Sequence, residues 1–345
     1  MIFPEFSEIL LLWYKNQKRD LPWRKTKNPY FIWLSEIILQ QTRVIQGMPY
    51  YYNFIEKYPD IQSLANANEE DILKTWQGLG YYSRAKNLHQ TAIYISEKLN
   101  GIFPNNYNDI KKLKGIGDYT ASAISSICYN EAQATVDGNV YRVLSRIFGI
   151  DIPINSSKGV KYFKELAIIL LDKNNPGEYN QAIMDFGATW CKPKNPNCNT
   201  CPFNNKCIAF HYNKIDFFPI KNKKISIKNR FFNYCVIIDN NEKTILLKRE
   251  SKDIWQGLYE FPLIETTEKQ EDKSIIEKIN NTFKNIHKIE KYSKEYIHKL
   301  SHQHIHTFFW KIYVNDILEN GITFSEMDNY PKSTLIVNFL KSIEN

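Results

Sequence analysis

The sequence predicts a mainly α-helical first two-thirds followed by a smaller α+β tail. Three features lead there. Up to about residue 210, apolar residues recur at three- and four-residue spacing in 31–45, 71–76, 83–99 and 121–128, as amphipathic helices require. Glycine and proline punctuate these runs at Gly78, Gly80, Gly101, Pro104, Gly115, Gly117, Gly138 and Gly149. After about residue 230 the texture changes. FFNYCVII and TILLK read as strands joined by the turn-like DNNE, SIIEKINNTF reads as a helix, and HTFFWKIYV reads as another strand.

A chain of 345 residues with 43% hydrophobic content is long enough for one or two well-buried domains. No apolar run reaches the ~18 residues of a membrane span. The start, MIFPEFSEILLLWYKN, has no basic leader and no small-residue cleavage site, so a signal peptide is not expected. The net charge of +8 permits an anionic partner without requiring one. It is unevenly spread: +5 over residues 1–210, +5 over 211–230 and −2 over 231–345. The basic stretch NKIDFFPIKNKKISIKNR reads as an interdomain linker or as a solvated surface strand.

Cys191, Cys198, Cys201 and Cys207 are spaced C-x6-C-x2-C-x5-C. Four thiolates that close in sequence can converge on one metal centre, and both zinc and a [4Fe–4S] cluster suit the donors. Disulfides suit them less, because only Cys128 and Cys235 lie elsewhere. Reduced cysteines of this kind fit a cytosolic setting. LKGIG (113–117) places two glycines around one apolar residue just before a helix start at Asp118. Its backbone N–H groups, with the positive end of the following helix, can hold a phosphate. Asp137 precedes another helix, where an aspartate is commonly an N-cap. Glu36 stands in an otherwise apolar segment, where desolvation favours its acid form.

Taken in order, LPWR (21–24), PYFIWLSEIILQQTRV (29–44), WQGLGYYSRAKNL (76–88), LKGIGDYTASAI (113–124), VDGNVYRVLSR (136–146), NQAIMDFGATWC (180–191) and the cysteine knot resemble adenine DNA glycosylases of the MutY type. That family belongs to the helix-hairpin-helix glycosylases related to endonuclease III. The resemblance implies a glycosylase domain over 1–213 with a [4Fe–4S] cluster on the four cysteines, a basic linker over 214–230 and a Nudix-like domain over 231–345. By position, Glu36 matches the acid that protonates the departing adenine. Asp137 matches the carboxylate that stabilises the sugar cation or adds to it. Tyr119 and Asn139 match residues that orient the site. Gln41 and Tyr81 match side chains that enter the duplex near the extruded base. Arg24, Leu39, Thr42 and Gln181 match other pocket or DNA contacts, and Gly115 and Gly117 belong to the phosphate-holding hairpin.

The chemistry accounts for these residue types. Breaking the bond between sugar and adenine needs a proton on the leaving group and stabilisation of an oxocarbenium-like sugar. One carboxyl must stay protonated near neutral pH while the other is ionised. The base must also leave the stack, and phosphate contacts make affinity salt-dependent. Bifunctional relatives carry a nucleophilic lysine just after the hairpin. Here that position is Tyr119, which implies a monofunctional enzyme, although Lys111, Lys112 and Lys114 lie close by.

In the tail, KDIWQGLYEFPLIE (252–265) resembles the Nudix-like domain that recognises 8-oxoguanine opposite adenine. The following TTEKQEDKS lacks the arginine–glutamate core of a hydrolytic Nudix box, which implies recognition without hydrolysis. HKLSHQHIH (298–306) aligns with a Phe-Ser-His loop as Leu300, Ser301 and His302, with leucine replacing the phenylalanine. The expected partner is double-stranded DNA carrying an adenine:8-oxoguanine or adenine:guanine mispair. The expected protein is a monomer, cytoplasmic and nucleoid-associated, with no membrane contact. Three other readings are a bifunctional endonuclease III-like enzyme, a non-catalytic iron–sulfur DNA-binding protein and a zinc module.

Overall fold

In a computed structural model of the chain, residues 5–222, 227–292 and 294–344 are described. Residues 223–226, inside the expected linker, lie outside the described residues. The chain divides into two compact units. One joins Met1–Asn66 to Asn87–Lys223, and the other joins Ala67–Lys86 to Lys224–Asn345.

The first unit is helical. It contains α1 (Phe6–Gln17), α2 (Pro29–Leu39), α3 (Val44–Lys57) and the short α4 (Ile61–Ala65). The next helix, α5 (Glu69–Thr75), belongs to the second unit, and α6 (Ser83–Lys98) begins in the second unit and ends in the first. The first unit continues through α7 (Tyr107–Ile110), α8 (Asp118–Tyr129), α9 (Gly138–Phe148), α10 (Ser157–Leu170), α11 (Pro176–Asp185) and α12 (Ile208–His211). Local chemistry sets the boundaries. Asn28 caps α2 by accepting from the Tyr30 N–H, with Pro29 at the first helical position. Asn130 and Gly149 close α8 and α9 in the left-handed conformation. α1 packs its buried Phe6 and Trp13 onto Phe203 and Phe186, with ring centroids 5.0 Å apart in each pair. Each such buried ring contributes roughly 1.5–3 kcal/mol.

The run 31–45 is not one helix. α2 stops at Leu39, and Gln41 takes φ +56 before α3 starts at Val44. The Thr42 hydroxyl donates to the Gln40 carbonyl at 3.3 Å, a local bond that competes with the helical ladder.

The second unit is built on a mixed sheet of β1 (Lys228–Ile238), β4 (Leu263–Thr266), β5 (Ile286–Lys291), β6 (Tyr296–Lys299) and β7 (Gln303–Val314), in the order β4-β1-β7-β5, with β6 also on β7. β2 (Leu247–Lys248) and β3 (Tyr259–Glu260) form a separate ribbon. β1 and β7 run parallel from Lys228↔Gln303 to Ile238↔Tyr313. Both are covered on two faces, which is why they read as near-continuous apolar runs. Phe232, Tyr234 and Phe309 join α14 (Thr334–Glu344) through Phe339. Cys235, Trp310 and Ile312 join α13 (Asp272–Thr282) through Ile275 and Ile279. TILLK forms less strand than its composition suggests: Leu247 and Lys248 pair with β3, while Thr244 makes an isolated bridge to Ile322.

The segment Ala67–Lys86 is fixed within this unit by specific bonds. Glu70 accepts from Lys248 Nζ (2.6 Å) and the Tyr259 hydroxyl (2.8 Å). Gln77 Oε1 accepts from the Lys332 N–H at 2.8 Å, and the Tyr82 hydroxyl donates to the Lys332 carbonyl at 3.2 Å. The Lys332 ammonium is buried against the carbonyls of Met327 and Tyr330, and burial lowers its pKa to about 8.

Candidate active site

Glu36, Tyr119, Asp137 and Asn139 come together in the helical unit from α2, α8 and the start of α9. Glu36 points from the otherwise apolar α2. Burial raises its pKa to about 7, and the charge of Asp137 pushes the same way; the Tyr119 hydroxyl and the field of Arg24 oppose. The Tyr119 hydroxyl hydrogen-bonds with the Glu36 carboxyl and also lies 3.0 Å from the Met184 sulfur. Asp137 caps α9. Its Oδ1 accepts from the N–H groups of Asn139 and Val140, both at 2.9 Å, and its Oδ2 accepts from Asn139 Nδ2 at 2.8 Å. Burial raises its pKa as well, but these donors pull it back. Asp137 is thus both a helix cap and a neighbour of Glu36. The two carboxyls differ in support: one has a single hydroxyl partner, the other has three N–H donors. That difference favours the acid form at Glu36 and the ionised form at Asp137.

A second arginine fixes this arrangement. Arg142 Nη2 donates to Asn139 Oδ1 (2.9 Å) and to the Gly187 carbonyl (2.6 Å), and its Nε donates to the Cys191 carbonyl (2.8 Å). Gly187 lets the backbone come this close, since a Cβ there would stand 2.6 Å from that of Asn139.

Arg24 grips Asp185 through two bonds of 2.7 Å, and Arg19 reaches the same fully buried carboxylate. Arg24 therefore acts on Glu36 through its field. Gln181 accepts from the Tyr14 hydroxyl at 3.3 Å. Arg24 and Gln181 share a cleft of about 570 Å³, walled also by Arg19, Glu178 and Ile127; Glu36 and Asp137 are not among its walls. Leu39 and Thr42 are half-buried beside the exposed, left-handed Gln41, which stands at the tip between α2 and α3.

The hairpin has the expected form. Gly115 takes φ +78, and a Cβ there would lie 2.7 Å from that of Asn87. Gly117 caps α8, and a Cβ on it would meet nothing within 4 Å, so the backbone at the helix start is open to an approaching group.

The four cysteines are free thiols. Burial raises the pKa of Cys198, Cys207 and, to about 12, Cys201; the charge of neighbouring thiols in the set adds to it. Backbone N–H groups act the other way, from Phe203 on Cys201 and from Phe210 and Ala209 on Cys207. Arg146 Nη1 lies 3.5 Å from Cys191 Sγ and also donates to the Lys192 carbonyl at 2.7 Å. Among the described residues, no three His, Cys, Asp or Glu side chains stand close enough to grip a single metal ion. The backbone N–H groups aimed at Cys201 and Cys207 and the Arg146 guanidinium beside Cys191 suit thiolates, the form in which these four residues would hold an iron–sulfur group.

In the sheet unit, Tyr81 and Ser301 meet across 220 residues of sequence, hydroxyl to hydroxyl at 3.3 Å. Ser301 Oγ is also 3.1 Å from His302 Nδ1. Tyr81 takes φ +48 and is 44% exposed, a conformation a large side chain rarely adopts. His306, on β7 beyond this loop, pairs with Glu295 at 2.5 Å.

Sequence reasoning missed Arg142, Asp185 and Met184. Arg142 follows Asn139 by three residues on one helix face, a spacing that could have flagged it. Asp185 and Met184 carry no such signal, because their partners are remote in sequence.

Residues 34–166 match the HhH-GPD superfamily of base excision DNA repair proteins, and residues 233–342 match the NUDIX domain. An adenine DNA glycosylase of Buchnera aphidicola subsp. Schizaphis graminum is 39% identical over 302 residues, covering 87% of this chain and 85% of that one. The human adenine DNA glycosylase is 41% identical over 213 residues, 59% of this chain and 39% of that one. Among solved structures, a thermostable thymine-DNA glycosylase superposes with a TM-score of 0.56 at 30% identity, over 60% of this chain and 95% of that one. An endonuclease III–DNA covalent intermediate, at 19% identity and a TM-score of 0.54 over 62% of this chain and 99% of that one, shares the fold. With a helix-hairpin-helix glycosylase part, a Nudix-like C-terminal part and this identity over most of a relative's length, the chain belongs to the adenine DNA glycosylase family.

Proposed function

We propose that this chain removes adenine mispaired with 8-oxoguanine, and with guanine, by hydrolysing the N-glycosidic bond, and that it leaves an abasic site without nicking the strand. The observation that carries the reading is the carboxyl of Glu36, held at about 7 beside an Asp137 that three N–H donors support. Near neutral pH Glu36 can give a proton to the departing adenine, a step worth ~10²–10⁴-fold. Asp137 then faces the developing sugar cation or adds to it. Asn139, pinned by Arg142, keeps Asp137 oriented, and Tyr119 orients Glu36. Arg24 and Gln181, in a cleft that Glu36 and Asp137 do not wall, would contact the DNA beside the extruded base.

Gly115 and Gly117 would take a backbone phosphate at the start of α8. Gln41 and Tyr81, both exposed and left-handed, would fill the duplex near the vacated position, with Leu39 and Thr42 behind Gln41. Ser301 and His302 would read the opposite purine. For the strand-nicking alternative, the hairpin lysines are otherwise engaged: Lys112 with Asp109, Lys111 with Tyr107 and Asp118, and Lys114 with Gln90. Cys191, Cys198, Cys201 and Cys207 would hold a [4Fe–4S] cluster. When bound, it would brace the loop that Arg142 ties to Asn139.

A single-turnover assay on a duplex with adenine opposite 8-oxoguanine tests the reading. Strand cleavage only after alkali is expected. Cleavage without alkali would overturn the monofunctional assignment, and no cleavage in either lane would overturn the adenine specificity. The purified protein should be brown, and Cys201→Ser should lower its iron content; a colourless protein with bound zinc would overturn the cluster.

A further inference from the structure

The loop Leu300–His302 has no ring at the position where the resemblance expects phenylalanine, yet the pocket beside it is not without one. A pocket of about 170 Å³ in the sheet unit is walled by Trp255, Leu300, His302, Tyr81 and Gln256. Trp255 comes from the turn between β2 and β3, remote from residue 300 in sequence. Its backbone stands at φ +62, a left-handed conformation that a bulky residue adopts only where its surroundings fix it. They do so here. Arg249 Nε donates to the Ile254 carbonyl at 2.9 Å, the Gly257 N–H donates to the Arg249 carbonyl at 2.7 Å, and the Leu258 N–H donates to the Trp255 carbonyl at 3.0 Å. The indole meets His298 edge-on at 5.5 Å and Phe232 at 6.2 Å. It remains half-buried and borders the pocket. The turn thus holds a large aromatic surface in a strained pose beside an aliphatic residue.

We propose that the indole of Trp255 is the stacking face for the purine opposite the target adenine, taking the part that Leu300 leaves unfilled. The inference rests on the reading that this loop contacts that purine. Every base has a π-face, so an indole supplies affinity for a base as such. Ser301 and His302 are left to distinguish one purine from another. The division of labour is specific: Trp255 sets how strongly any purine is held, and the polar pair sets which purine is held.

The test uses the full chain and two duplexes, both with a non-hydrolysable adenine analogue. One has 8-oxoguanine opposite and the other an abasic analogue. The readout is the dissociation constant for the abasic duplex divided by that for the 8-oxoguanine duplex. Trp255→Met, a flexible side chain that fills irregular space, should lower the ratio by roughly 10–100-fold. Trp255→Phe, which keeps a ring, should lower it by about threefold or less. Adding Leu300→Phe to Trp255→Met should restore most of the loss. Circular dichroism checks the fold of each variant, and Trp255→Leu replaces the methionine variant should that one not fold. A folded aliphatic variant with the wild-type ratio overturns the proposal, as does a phenylalanine variant that falls as far as the aliphatic one. If the wild type itself binds both duplexes equally, the loop does not contact the opposite base, and the underlying reading fails along with the inference.

Discussion

Arg230 in the sheet unit grips two carboxylates at once, Asp253 at 2.6 and 3.0 Å and Glu265 at 2.7 and 2.8 Å. Arg249 binds Asp253 at 2.8 Å and Glu260 at 2.6 Å, and Asp253 is held down to about 2. Glu36 in the helical unit is treated differently: one hydroxyl, no cation in direct contact, and a like charge nearby. This network in the sheet unit pairs each of its carboxylates with an arginine, whereas the helical unit leaves Glu36 short of partners. A fully paired carboxylate is a strut and holds no proton at neutral pH. An under-paired one is costly to keep, and it is the group that can hold a proton there and release it.

Four measurements sharpen or break that contrast, from the largest effect to the smallest. Glu36→Gln should lower single-turnover base removal by ~10²–10⁴-fold while leaving duplex affinity within a few-fold, since the amide keeps the shape and loses the acid; wild-type turnover would end the assignment. Arg230→Ala should destabilise the sheet unit by about 2–3 kcal/mol, because it removes a buried guanidinium and its bonds to Asp253 and Glu265 while Arg249 still holds Asp253; a denaturant midpoint unchanged from the wild type would show the network to be idle.

The third concerns pH, where the two units carry opposite signs. Glu36 is raised on folding, so between its ordinary ~4.3 and about 7 the folded state binds the extra proton. Stability should fall as pH rises through that window, by roughly 1–3 kcal/mol after allowance for its partial exposure, and Glu36→Gln should remove the slope. Asp253 is lowered, so its contribution is present above ~3.9 and is lost as pH falls toward about 2. Chemical denaturation at half-unit pH steps reads both, and a flat profile from 4.5 to 7 would contradict the Glu36 setting. Last, Ser301→Ala with His302→Ala should narrow the preference for 8-oxoguanine over guanine by about 1 kcal/mol, the worth of one or two hydrogen bonds. An unchanged ratio of cleavage rates would remove the loop from discrimination.

Much of this was legible in the sequence where the signal is local. The hairpin glycines, the Asp137 cap and the cysteine spacing each depend on neighbours within a few residues. Glu36 stood out as a charge in an apolar helix. The break after Leu39 was not legible, because the left-handed turn at Gln41 carries no glycine or proline. The pairing of Arg24 with Asp185, of Tyr81 with Ser301 and of Arg230 with Asp253 and Glu265 was not legible either. Their separations in sequence range from 23 to 220 residues, and no periodicity encodes such partners. The placement of Ala67–Lys86 with the tail was hidden for the same reason.

That placement has a consequence for biosynthesis. Glu70, Gln77 and Tyr82 find their partners at Lys248, Tyr259 and Lys332. At ~5–20 residues per second, a ribosome makes the last of these partners on the order of tens of seconds after Glu70. Through most of that interval the nascent chain carries Glu70 without Lys248 and Tyr259, and through all of it Gln77 and Tyr82 without Lys332. Chains released before residue 332 would carry the same unfinished stretch permanently, and the cell would meet them as chaperone clients and protease substrates.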